Sequence, residues 1–278
     1  MEINIPLSGG FCLGIGSAPS SKDGYPTARL VKGLVLVNDG QALSEEGVGF
    51  GVPVIKRGIQ TIFPGRLELT GLQAGAIWQV AARFSMNLEE KLANPVRGSL
   101  RNKLLYQAKN NLAALHRRSP RLRPPLTAIS NALRQALSLE TVFEETALYG
   151  IMQVAYTIDT RTEVIDIYVD ASDLVGEGLT EVVVMNEQGA HHFDRYQDST
   201  GALLQGNEIG SWDEVRAANA SFISTAHKLA FTLAQVSGAR LFRGRELTGS
   251  RLAWSGFGYT FPPGRQRISF TVSIHRLP

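Results

Sequence analysis

The segment His191-His192-Phe193-Asp194-Arg195 brings two imidazoles, a carboxylate and a guanidinium into five consecutive positions. On an extended strand His192 and Asp194 share a face, so Asp194 is placed to orient the His192 imidazole for general-base work. Arg195 adds a planar cation suited to fixing an anionic group. A metal would need a third ligand at a suitable spacing, and the sequence offers none nearby. Exposed polar residues on a strand would leave the same trace.

A second set lies in Ser44-Glu45-Glu46-Gly47-Val48-Gly49-Phe50-Gly51-Val52-Pro53. Its glycines follow a GxGxG spacing, and Pro53 leads into a strand pattern. Neither a dinucleotide loop nor a phosphate loop is built that way, because both need a helix to follow the glycines. Glycines in a strand let a ligand or another backbone approach closely. Glu45 and Glu46 would then be acids presented over that opening, with Glu46 acting as the acid beside a His192 base. A bulged strand entry with solvated carboxylates is the plainer reading.

Other candidates are weaker. Asp166, Tyr168 and Asp170 alternate along one strand face, as the wet side of a half-buried strand does. Trp78, Trp212 and Trp254 accompany Phe257, Tyr259 and Phe261, either as core or as a surface on which a sugar ring stacks, with Trp254 the stacking candidate. No GxSxG elbow supports nucleophilic catalysis. Cys12, the single cysteine, sits in an apolar run with no charge near it to activate a thiolate. No cofactor motif is present, and one cysteine excludes an intrachain disulfide, which fits a reducing compartment.

Residues 91–139 differ from everything around them. They hold ten basic side chains and no acidic one, which leaves the rest of the chain at −7 although the whole carries only +3. Leu100, Leu104, Leu105, Ala108, Leu112 and Leu115 recur at helical spacing, and Leu126, Ile129, Leu133, Ala136 and Leu137 do so again after Pro124-Pro125. Two amphipathic helices are expected, at about 97–139. Around their turn, Arg117, Arg118, Arg121 and Arg123 form a candidate anion site for phosphate, sulfate or a sugar carboxylate. The same charge could complement the acidic remainder in a contact, or simply face water. Nucleic acid is disfavoured, since Tyr106 is the one aromatic of the insert.

The elements that must position these groups read as β on both sides of the insert. Residues 29–37, 52–63, 66–70 and 76–86 are apolar or alternating and are punctuated by Asn38-Asp39-Gly40 and Pro64-Gly65. Residues 162–169 alternate cleanly. Residues 180–185 lead to Asn186-Glu187-Gln188-Gly189, which resembles a hairpin turn into a strand at 190–196. Ser211-Trp212-Asp213-Glu214 has capping-box spacing and predicts a short helix through about 220. Residues 221–236 fit helix or strand, and 239–245, 251–261 and 266–275 read as closing strands.

The expected fold is therefore mainly β: a large, many-stranded antiparallel β-sandwich, with a basic two-helix insert packed on it, in a single β-rich domain spanning 1–278. A hydrophobic share of 44% in 278 residues is ample for such a core. The N-terminus lacks a basic, then apolar, leader, and no apolar stretch reaches the ~18 residues of a membrane span. A cytoplasmic protein with no membrane partner is expected. Two functional classes follow. In the first, a cleft binds or modifies a carbohydrate or an anionic small molecule, with Glu46, His192 and Asp194 catalytic and Glu45, Arg195 and Trp254 holding substrate. In the second, a non-enzymatic interaction or assembly module uses the basic insert and forms a homo-oligomer.

Overall fold

The computed structural model describes residues 2–16, 30–44, 47–58, 60–93, 140–174, 178–248 and 252–277. Alternation decides the architecture. In β9 (Ile151–Asp159) and β10 (Val164–Asp170) every second side chain is buried, from Met152, Val154, Tyr156 and Ile158 to Ile165, Ile167 and Val169. Such a strand has one face in a core and one outside it. β19 (Arg267–Arg276) repeats the pattern with Ile268, Phe270, Val272 and Ile274, and pairs antiparallel with β10.

These strands belong to one fifteen-stranded sheet. From one edge it runs through β13 (Leu203–Gln205), β12 (Arg195–Asp198), β15 (Asn219–Ser224), β16 (Leu229–Ala234), β19, β10 and β9. It continues through β7 (Ile77–Ala93), β6 (Gln60–Ala74), β5 (Gly49–Arg57), β11 (Leu179–Gly189), β18 (Leu252–Phe261), β17 (Arg240–Thr248) and β14 (Asp213–Glu214). β8 (Glu140–Glu145) adds to β7. Strands from before and after residues 94–139 are thus interleaved in a single sheet. A four-stranded sheet, β1 (Glu2–Pro6), β2 (Phe11–Gly16), β3 (Val35–Asn38) and β4 (Gln41–Ala42), joins it through the Leu34–Phe50 bridge.

The large sheet folds over its own inner face. Phe50, Phe193, Phe222, Phe231 and Phe257 meet mostly edge to face there, with Phe222 and Phe257 centroids 4.8 Å apart. Ile5, Leu13, Ile15 and Leu36 of the small sheet share that core. Two hydrogen bonds pin the distant ends together: Tyr259 Oη donates to the Ala234 carbonyl and Ser255 Oγ donates to the Phe193 carbonyl, each at 2.5 Å. Antiparallel pairing throughout and a core between facing layers make this a β-sandwich.

Two sequence expectations are corrected, and one left open is decided. The segment at 211–220 is not a helix: Asp213–Glu214 pairs with β17, and the Val215 N–H donates to the Leu241 carbonyl. Pairing with a long neighbouring strand outweighs a local cap signal. Residues 190–194 are not strand, because the His192 and Phe193 N–H groups both donate to the Gly189 carbonyl and turn the chain there. Residues 221–236 resolve as the β15–β16 hairpin. No α-helix occurs among the described residues, and the expected two-helix insert at 97–139 lies outside them.

Candidate functional site

The outer face of β5, β11, β18 and β17 carries the unusual chemistry. In register, Gly49, Glu187, Gly256 and Gly244 form one row across the four strands. Val52, Met185, Gly258 and Phe242 form the next, and Gly189, Trp254 and Glu246 the row on the other side. A carboxylate therefore stands in the middle of a sheet, between glycines.

Its environment follows from the bulge beside it. Pairing steps from Met185–Val52 to Asn186–Phe50, so Gly51 is an extra residue. Gly51 has φ +78° and its N–H donates to Asn186 Oδ1. Tyr156 Oη donates to the Phe50 carbonyl at 3.0 Å and would collide with a Cβ on Gly51. Only glycine fits at that point. The chain then brings Val48 over β11, and its N–H donates to the Glu187 carboxylate.

Glu187 is 5% exposed. Burial, reinforced by the negative charge of nearby Glu246, raises its carboxyl from 4.5 to about 8, against the opposing Val48 hydrogen bond. Glu187 is thus a neutral acid at pH 7. Leu30, Val48, Val52, Leu88, Phe63, Phe143 and Met185 form an apolar cluster on one flank. On the other flank Trp212 stacks on Phe242 at 5.5 Å and meets Trp254 edge-on at 6.5 Å. The two indoles lie over Gly258 and Gly244, where a Cβ would come within 2.2 Å of Trp212 and 2.5 Å of Trp254. Both indoles are half-buried and stand outside the hydrophobic core. Buried Lys32 donates to the Ser44 carbonyl at 3.0 Å, at the far end of the loop that supplies Val48.

The residues singled out in the sequence are placed differently. Glu45 and Glu46 lie outside the described residues, as do Arg117, Arg118, Arg121 and Arg123. Trp254 is on the outer face in the row beside Glu187. His192 lies in the turn after β11, its Nδ1 3.0 Å from His227 Nε2, and His227 Nδ1 is 3.5 Å from Asn38 Nδ2. Asp194 interacts with Arg245. Arg195 is exposed on β12, between Gln205 and Ile223. Asp170 receives Arg267 at 2.9 Å and Asp166 accepts from Thr271, so that face is a surface ladder. Burial raises the Cys12 thiol, as expected of an unreactive cysteine. Among the described residues no group of three or more His, Cys, Asp or Glu could hold a metal ion, and no helix is long and apolar enough to cross a membrane.

No family model and no curated protein matches the sequence. Among solved structures, the chain is similar to the alpha-N-acetylgalactosaminidase NagBb from Bifidobacterium bifidum in its Gal-NHAc-DNJ complex, with 9% identity and a TM-score of 0.50. The likeness is one of fold. It covers 99% of this chain and 36% of that one, so the chain spans about a third of the enzyme's length. The GalNAc complex of the same enzyme gives 10% identity and 0.49, again over 99% of this chain and 36% of that one. A galactose mutarotase-like protein from Lactobacillus casei is 11% identical, with a TM-score of 0.37 over 99% of this chain and 100% of that one.

The sequence reading missed Glu187, Glu246 and Lys32, and it named Trp212 among the aromatics without placing it beside Trp254. Glu187 was masked by its neighbours: Asn186-Glu187-Gln188-Gly189 has turn composition, yet it completes β11. The usable signal was Gly256-Phe257-Gly258, whose glycines admit the close approach of β11 backbone at Gly256 and of Trp212 at Gly258. Only the register shows that an acid stands opposite.

Proposed function

We propose that this chain binds or modifies a carbohydrate on the outer face around Glu187. The observation that carries the reading is a buried, protonated carboxyl at the centre of a sheet, between Gly49 and Gly256 in register and beside the half-buried indoles of Trp212 and Trp254. Indole faces suit the C–H side of a sugar ring, and the glycines at 258 and 244 let the two indoles lie close over the strands beside the acid. The fold shared with part of a protein named as an alpha-N-acetylgalactosaminidase supports the carbohydrate class.

The chemistry is general acid catalysis. Glu187 holds its proton at neutral pH and would give it to a glycosidic oxygen as the bond from the anomeric carbon to that oxygen breaks, while a water adds to the anomeric carbon and releases the proton that restores the acid. The resulting carboxylate keeps the Val48 N–H as its donor and regains a proton from water. Glu246 raises the Glu187 carboxyl and offers negative charge to a developing oxocarbenium. The apolar flank limits water around the acid.

The test is a thermal-shift and turnover panel of neutral mono- and oligosaccharides and their aryl glycosides, run on the wild type and on Glu187→Gln. A ligand present at about 100 times its Kd adds about 2.7 kcal/mol of stability. Binding by both proteins, with turnover lost in Glu187→Gln, supports the reading. A panel in which nothing stabilises the wild type, or turnover untouched by the substitution, refutes it.

A further inference from the structure

The other half of the sheet has a depression of its own. Its volume is about 250 Å³, and it lies on the outer face of β12, β15, β16 and β19, away from the strands that carry Glu187. Short side chains make it: Ser221 pairs across the strands with Thr232, and Ala230 lies one row on. Longer ones wall it, with Gln197 on β12, Asn219 on β15 and His275 on β19.

The lining has a definite chemical character. The side-chain amides of Gln197 and Asn219 and the His275 ring make no hydrogen bond among the described residues. Ser221 Oγ and Thr232 Oγ1 are 2.7 Å apart, which leaves both oxygens with capacity for a further partner. No lysine or arginine lines the depression, and its one carboxylate, Asp198, is already taken by Tyr196 Oη at 2.8 Å and Thr200 Oγ1 at 2.6 Å. Ile223 and Leu277 supply a small apolar patch at one end. Unpaired amides and hydroxyls around a small apolar spot suit a polyol, with hydroxyl edges for the amides and a C–H face for the patch. The lack of a free charge argues against an anion.

We propose that this depression is a second site, for one neutral sugar unit, that works independently of Glu187. It is open and shallow, so affinity in the millimolar range is expected, about −4 kcal/mol. The site would hold a glycan on the protein rather than transform it.

The experiment is an amide NMR titration with galactose, glucose, N-acetylglucosamine and galacturonate. It is run on the wild type, on Glu187→Gln, and on the double variant Gln197→Ala with Asn219→Ala, whose exposed positions leave the core untouched. Saturable shifts at 197, 219, 221, 232 and 275 with a neutral sugar are expected. They should persist in Glu187→Gln and weaken about tenfold or more in the double variant, a loss of about 1.4 kcal/mol. Galacturonate should bind no tighter than galactose. No saturable shift with any neutral sugar, shifts unchanged in the double variant, tighter binding of the uronate, or loss of these shifts in Glu187→Gln would each overturn the proposal. The last outcome would leave the acid at Glu187 intact as a separate reading.

Discussion

Glutamine at position 187 should stabilise the protein, and increasingly so as the pH rises. The folded state holds the Glu187 proton to about pH 8, while an unfolded chain releases it near 4.5. Between those values the folded state binds more protons, so wild-type stability falls as pH rises through the window. The contribution is fully present below about pH 4.5 and gone above about 8. At about 1.4 kcal/mol per pH unit, the full excursion is about 5 kcal/mol. For a domain stable by about 5–15 kcal/mol that is a large fraction. The glutamine variant has no such dependence, and its Oε1 can still accept the Val48 N–H.

Urea unfolding at a series of pH values from about 5 to 9 measures it directly. The two proteins should be close at acid pH, and Glu187→Gln should pull ahead by roughly 2–5 kcal/mol at the alkaline end. Taking the difference between the proteins cancels every other titrating group they share. Parallel curves across the range would falsify the buried acid, and with it the catalytic role assigned to Glu187.

Other perturbations test the framework around it. Gly258→Val sets a side chain where Trp212 Cη2 would be 2.2 Å from Cβ, so the indole must leave Phe242; tryptophan fluorescence should shift and sugar binding on that face should drop. Ser255→Ala strands the buried Phe193 carbonyl, at about 1–3 kcal/mol in denaturant unfolding. Phe231→Ala empties the centre of the phenylalanine cluster and should cost about 3–5 kcal/mol. Arg267→Ala removes only an exposed partner of Asp170, and its stability should stay within about 1 kcal/mol of wild type.

Fold class was legible where burial enforces a period of two. The runs in β10 and β19 alternate because one side faces the core, and no competing local signal interrupts them. Asn38-Asp39-Gly40 turns the chain between β3 and β4 as its composition predicts, but two other local signals misled. Ser211 to Glu214 carries capping-box spacing, but β17 offers an edge that only tertiary structure creates. His191 to Arg195 has strand-like composition, but the chain turns on the Gly189 carbonyl before β12 begins. The acid was hidden for a related reason. A glutamate between Asn186 and Gln188 looks solvated until β5 and β18 close on both sides of it. Trp254 was identifiable by type and by its neighbouring glycines, whereas Trp212 depended on a packing partner far off in sequence, Gly258.

That dependence has a kinetic consequence. The row through Glu187 needs Gly49 from an early strand, Glu187 from a middle one, and Gly256 and Gly244 from late ones. Gly244 and Gly256 meet within one hairpin, but both contacts to Glu187 close long loops, so the row forms only after non-local pairing is in place. Burial of the Glu187 carboxyl is the largest cause of its raised titration. A folding intermediate with β17 and β18 paired to each other but not to β11 would leave that carboxyl in water, titrating near its ordinary value. Refolding of the wild type should therefore take up a proton at about pH 7 in the slow phase that completes β11–β18 pairing, and Glu187→Gln should lack that uptake. A stopped-flow pH indicator distinguishes the two. Proton uptake in the earliest phase would mean that the acid is buried by local collapse, and the site would not need its four strands assembled in register.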